Sequence, residues 1–269
     1  MGILNVTPDS FSDGGLYTAQ KEALDHAGRL VEEGAQIIDI GGESTRPGAV
    51  EVPVEEELQR TLPVITALRA AYPHLLLSID TRHPAVARAA LQAGVDIVND
   101  ITGLAGAEMR ELCAAHPCGI VLMHMQGTPA TMQQHPHYAD VVAEVRSFFA
   151  QQLRLAEQAG IDPSRICLDP GIGFGKTTAH NLTLIQQLEQ LRVGNRPLLM
   201  ALSRKRFLGQ LLGDAQLPLS SPLPTVVMSL LAAERGADLH RVHDPLPLQQ
   251  ALLLRRAAVE SCLSSGQKD

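Results

Sequence analysis

The chain has 269 residues, 45% of them hydrophobic and 19% charged, with a formal net charge of −7. That length, with a mean hydropathy of +0.04, excludes a disulfide-stapled mini-domain and wholesale disorder, and leaves room for a large core. The acidic balance disfavours a nucleic-acid or anionic-membrane binder, so an anionic ligand would have to meet cations gathered in one place.

Aromatic residues make up only 3% and Trp is absent, so Leu, Ile, Val and Ala must fill the interior. The four cysteines, Cys113, Cys118, Cys167 and Cys262, form no C-x-x-C pair. They read as free thiols in a reducing compartment. No run of about 20 apolar residues predicts a membrane span. Residues 1–5 lack the basic-then-apolar pattern of a signal peptide, so the expected location is cytoplasmic.

In chain order, short apolar runs alternate with helix-like stretches. The runs are residues 3–5, 37–40, 75–80, 95–99, 120–124, 166–169, 198–203 and 240–243. Most are continuously apolar, as strands of a parallel sheet covered on both faces should be. Helical patterns occupy 19–33, 55–71, 85–93, 107–115, 139–159, 181–191, 225–235 and 248–263. Gly34, Gly94, Gly160 and Gly236 follow four of them, where a left-handed residue ends a helix. Eight βα units without a break in composition predict a closed (β/α)8 TIM barrel, one domain over residues 1–269. A doubly wound open sheet is the alternative.

Most strand ends carry polar residues: Asn5, residues 43–46, Asp80, Asn99 and Asp100, His124, Asp169, residues 203–205, and Arg241 with His243. Each could merely cap a helix, but a parallel barrel brings all these ends to one rim, where together they predict a pocket. Residues 171–177, GIGFGKT, lack the glycine spacing of a P-loop or of a dinucleotide fingerprint. They read as a strand-to-helix turn with Phe174 over a ligand. His124, His135 and His137 do not have the spacing of a helical metal pair. Lys205 suits a Schiff base or, beside Arg204, an electrostatic role. Residues 6–15 and 41–48 read as mobile loops that close over a substrate, with Asp9 and Asp13 able to approach a hard cation.

At these positions the chain resembles the dihydropteroate synthase family, folate-pathway enzymes inhibited by sulfonamides. The matching segments are MGILNVTPDSFSDGG from Met1, GGESTRPG from Gly41, SIDT from Ser78 and VNDI from Val98. LMHMQG from Leu122, LDPGIGFGK from Leu168, LSRK from Leu202 and RVHD from Arg241 follow in the same order. The resemblance implies a (β/α)8 barrel that joins p-aminobenzoate to 6-hydroxymethyl-7,8-dihydropterin diphosphate, releasing 7,8-dihydropteroate and diphosphate.

Carried over by residue, it implies that Asp80, Asn99, Asp169 and Lys205 bind the pterin, with Asp80 and Lys205 catalytic. Asn5, Thr45, Arg241 and His243 would hold the diphosphate. Thr45, Arg46, Pro47, Phe174, Ser203 and Lys205 would form the aminobenzoate subsite, and Asn5 and Asp13 would serve Mg2+. A homodimer through late helices and sensitivity to sulfonamides are implied too. Three features depart from the family pattern: the expected segment before GILN is missing, residues 221–225 are rich in proline, and Arg206 stands where a smaller residue is usual. A methyltetrahydrofolate-binding methyltransferase domain and a pterin-binding paralogue without turnover are the competing readings.

Overall fold

The computed structural model describes residues 1–6, 15–44 and 51–265. Strand β1 (Gly2–Asn5) leads to α1 (Gly15–Glu32), β2 (Ile37–Gly41), α2 (Val54–Ala71), β3 (Leu76–Asp80), α3 (Pro84–Gln92), β4 (Ile97–Asp100) and α4 (Ala107–Ala115). Then come β5 (Gly119–Met123), α5 (Val141–Gln158), β6 (Ile166–Asp169), α6 (Thr178–Gln186) and β7 (Leu199–Met200). Helices α7 (Arg206–Leu212), α8 (Leu217–Ser220) and α9 (Leu223–Glu234) precede β8 (Leu239–His240) and α10 (Pro245–Ser265).

Strands β1 to β6 pair in parallel and in sequence order, and β7 pairs with β8. Parallel bridges Leu168↔Leu198 and Gly2↔Val242 join the two groups into a ring. The Leu168 N–H donates to Pro197 O at 2.9 Å, and the Ile3 N–H donates to Val242 O at 2.9 Å. The fold is the expected (β/α)8 barrel.

Continuous hydrophobicity hides an alternation that the structure exposes. Side chains on a strand point to opposite faces with a period of two. The large core under the helices takes Leu4, Ile38, Ile40, Leu77, Ile79, Val98, Ile120, Leu122, Ile166, Leu168, Leu198 and Met200. The intervening residues face the barrel axis. At its base Val121, Leu199 and Ala201 pack with Ile97, Cys167 and Leu239. Above them the same alternation places Asp39, Ser78, Asp80, Asn99, Asp169 and Arg241. The polar rim is thus the inward register of the strands, a consequence of the pleat.

Glycines 34, 94, 160 and 236 all have φ between +88° and +99°, as their place after helices requires. Several boundaries differ from expectation. The run at 198–203 contains only two strand residues and that at 240–243 only His240, because the chain leaves the sheet early to turn across the mouth. Helix α6 ends at Gln186 and a separate 3-10 turn, Leu188–Leu191, follows. Helices α7 and α8 carry no strong apolar periodicity and were not expected. Pro218 and Pro224 sit in the first turns of α8 and α9, where the missing N–H would have no intrahelical partner. The proline-rich stretch therefore starts a helix.

Candidate active site

Asp39 is the hub of the barrel mouth. It lies in β2, fully buried. Ser78 Oγ donates to its Oδ1. Its Oδ2 accepts from Asn99 Nδ2 at 3.1 Å and from Arg241 Nε at 2.6 Å. The second arm of Arg241 reaches across: Nη2 donates to Asp80 Oδ2 at 2.7 Å. Burial works against the Arg241 charge, but Asp39 and Asp80 outweigh it and raise its pKa. Among the described residues, no partner takes Arg241 Nη1.

Asp80 ends β3, and its Oδ1 is buried without a hydrogen-bond partner. Burial pushes its pKa up, while Arg241 and Lys205 pull it down. With a guanidinium in direct contact, the carboxylate form is the one this geometry holds. Asp169 ends β6. Its Oδ1 accepts from the Gly171 N–H at 2.7 Å, and burial raises its pKa against that bond and the charge of Lys205.

Lys205 comes from the β7–α7 turn, immediately before α7. Its Nζ stands 4.2 Å from the centre of the Phe174 ring. Burial, reinforced by Arg241, lowers its pKa to about 8 against the pull of Asp169 and Asp80. Arg204 before it adopts φ +57°, unusual for a residue with a side chain, and pairs with Asp244 at 3.0 Å. Ser203 links this turn to the next: its Oγ accepts from the His243 N–H at 3.2 Å and lies 2.9 Å from His243 Nδ1.

The glycine-rich turn after β6 is held from beneath. Lys176 Nζ is buried, 2.9 Å from Phe174 O, 3.0 Å from Gly171 O and 3.0 Å from His124 Nδ1. Burial lowers the pKa of Lys176 to about 7 and that of His124 to about 3. Lys176 therefore braces the turn from inside. Gly171 has φ +63°, and a Cβ there would overlap the His124 carbonyl oxygen, so only glycine lets the turn pack on the end of β5. A cavity of about 770 Å³ adjoins the outer side of the turn, lined by Phe174, Lys176, Lys205, Arg206, Gln210 and Met132 among others. Arg206 accordingly stands at the edge of the Phe174–Lys205 contact.

The structure thus brings together Asp80, Asn99, Asp169, Lys205 and Arg241, with Phe174, Ser203 and His243 in the turns above. Asn5 ends β1 close by: Asn5 Oδ1 and Asp80 Oδ2 both lie within 3.9 Å of where a Cβ on Gly41 would sit, and glycine leaves that space open. Thr45, Arg46, Pro47, Asp9 and Asp13 lie in residues 7–14 and 45–50, outside the described residues. His135 and His137 are exposed on the β5–α5 connection. The sequence reading passed over Asp39, although a carboxylate inside an apolar run was its signal.

The pterin binding enzyme family model matches residues 1–243. Dihydropteroate synthase of Escherichia coli (strain K12) is 45% identical over 267 residues, 99% of this chain and 92% of that protein. The dihydropteroate synthase of Xanthomonas albilineans, solved with 4-aminobenzoic acid, superposes with a TM-score of 0.89 at 49% identity, covering 96% of this chain and 92% of that one. That of Yersinia pestis, in a sulfonamide drug complex, gives 0.90 at 43% identity, covering 97% and 94%. With its barrel mouth lined by Asp80, Asn99, Asp169, Lys205 and Arg241, this chain belongs to the pterin binding enzyme family.

Proposed function

We propose that the chain condenses 6-hydroxymethyl-7,8-dihydropterin diphosphate with p-aminobenzoate, forming 7,8-dihydropteroate and diphosphate in folate biosynthesis. The observation that carries this reading is the contact of Arg241 with Asp80 at 2.7 Å. It sets the carboxylates suited to a flat heterocycle beside the cations suited to its phosphorylated tail.

A pterin presents adjacent N–H donors. Asp169 Oδ2, with Oδ1 tied to Gly171, and Asn99 Oδ1, with Nδ2 tied to Asp39, are fixed acceptors for that edge. The unpartnered Asp80 Oδ1 takes a further ring N–H. As the C–O bond to diphosphate breaks, positive charge develops on the pterin methylene and ring, and Asp80 stabilises it. Lys205 donates toward the pterin carbonyl and N5 and, over Phe174, borders the aminobenzoate subsite with Ser203. Thr45, Arg46 and Pro47 complete that subsite. Arg241 Nη1 and His243 hold the diphosphate, with Asn5 and Thr45.

Asn5 and Asp13 offer hard oxygen donors of the kind Mg2+ takes, and the space over Gly41 fits that use. Bound there, Mg2+ would neutralise charge on the leaving diphosphate. The aminobenzoate amine needs little base assistance, so positioning it in line with the methylene contributes more. The substitution is SN1-like, with no covalent intermediate on the enzyme.

The active form we propose is a homodimer. Leu223, Val227 and Leu231 recur every four residues along α9 and are 64%, 46% and 44% exposed, and α10 exposes Leu253 and Leu254.

Steady-state diphosphate release that requires both substrates is the expected result. Sulfonamides should inhibit it competitively with p-aminobenzoate, and borohydride should trap no adduct on Lys205. Release of diphosphate without aminobenzoate, or undiminished turnover in about 1 mM sulfamethoxazole, far above a typical KM, would contradict the reading.

A further inference from the structure

Behind the barrel mouth lies a cluster that the chemistry above does not use. Glu43 stands just after β2, Glu57 in the first turns of α2, and His83 immediately before α3. Gly42 lets these elements close up, since a Cβ there would stand 3.0 Å from Glu57 Cγ. Glu57 is fully buried; the Thr81 hydroxyl interacts with its carboxylate, but neither oxygen makes a hydrogen bond of ordinary geometry. His83 Nε2 is likewise buried and unpartnered.

These orphaned atoms point at one another. His83 Nε2 lies 3.8 Å from Glu43 Oε2 and 3.9 Å from Glu57 Oε2, and one donor atom from each residue fits within a 4.8 Å span. Three ligands at about 2.1 Å from a tetrahedral ion stand about 3.4 Å apart. The two imidazole–carboxylate distances need to shorten by about half an ångström, and rotation of the two Glu side chains would close the rest of the 4.8 Å span.

We propose that Glu43, Glu57 and His83 form a site for a divalent transition-metal ion of the Zn2+ class. The ion fastens the base of the β2–α2 loop to α2 and to the turn before α3.

Buried polar groups without partners are costly, and a cation bound to all three side chains would remove that cost. The charge count agrees. Arg82 donates to both oxygens of Glu43 at 3.1 Å and pairs with Glu51 at 2.8 Å. Three carboxylates against one guanidinium leave two negative charges for a dication. An imidazole donor separates this site from the all-oxygen donors suited to Mg2+.

The test uses the tag-free full chain, stripped with chelator and titrated with Zn2+ and with Co2+. One equivalent of Zn2+ should bind, and at a hundredfold excess over Kd it should raise Tm by about 5 °C. Co2+ should give the intense visible bands of a low-coordinate site. Glu57→Gln and His83→Gln should each weaken Zn2+ binding at least tenfold and abolish those bands. Glu57→Gln removes a buried charge, so it should fold at least as well without metal. The proposal is overturned if the wild type binds no Zn2+ below millimolar Kd, or if either folded variant keeps the wild-type affinity and spectrum. The latter result would assign the metal to surface histidines.

Discussion

Asp39 shows how one buried charge can organise a site. It receives Ser78, Asn99 and Arg241 at once, so it sets the rotamers of the proposed pterin ligand Asn99 and the proposed diphosphate ligand Arg241 together. Removing one of the two carboxylates that share Arg241 leaves Asp80 to compensate it, so the cost falls below the roughly 3–5 kcal/mol of a buried charge left wholly unpaired. Asp39→Asn should therefore lower stability by about 2 kcal/mol in urea unfolding, the scale of a lost charge-assisted hydrogen bond. It should also lower kcat/KM for the pterin substrate by more than its effect on folding explains.

Lys205 offers a separate prediction. With a pKa near 8, its ammonium form declines as pH rises through 8, so kcat/KM should fall on that side. Lys205→Arg keeps the cation at every accessible pH. Its profile should lose the alkaline limb, while peak activity drops at least tenfold because a planar fork replaces a point charge. An unchanged limb in the arginine variant would assign it to another group.

Among elements, the turn after β6 carries the most function for its length. Gly171, Phe174 and Lys176 respectively let it approach β5, cover Lys205, and tie its carbonyls from inside. Gly171→Ala meets both a positive φ and a backbone carbonyl, and should cost roughly 3 kcal/mol or more. It should also raise the KM for p-aminobenzoate. Gly160→Ala is the matched control. Its φ is +88° but nothing lies within 4 Å of the new Cβ, so only the conformational cost of about 1–2 kcal/mol remains. Urea denaturation of both variants checks the difference.

The elements also show where sequence patterns stop informing. Strands and long helices were legible because burial on both faces of a sheet, or on one face of a helix, leaves a periodic trace. Helices α7 and α8 span only Arg206–Leu212 and Leu217–Ser220, too short for a period to register. The early ends of β7 and β8 left no trace either, since residues 201–203 and Val242 stay buried after leaving the sheet.

For the molecule as a whole the net charge is −7, and the barrel mouth sets two cations, Arg241 and Lys205, among Asp39, Asp80 and Asp169. Arg241 and Lys205 come from the segments after β8 and β7, so cations are gathered at one mouth although the whole chain is acidic. Helices α9 and α10 expose leucines. Sedimentation at micromolar concentration should give a dimer, and Val227→Glu should give a monomer with an intact barrel by circular dichroism. A monomeric wild type would remove the homodimer from the proposed function.

By itself the sequence determined the eight βα repeats and the set of polar strand ends; the bridges of Leu168 to Leu198 and Gly2 to Val242 decided that the sheet closes. Parallel topology carries every strand end to one side, and that follows from chain order alone. Only the tertiary structure decided which polar groups are spent on one another. Whether Arg241 meets Asp39, or whether Glu57 and His83 face each other unpaired, depends on the pleat and on crossing distances of a few ångströms between strands and helices far apart in sequence. No local pattern encodes those distances.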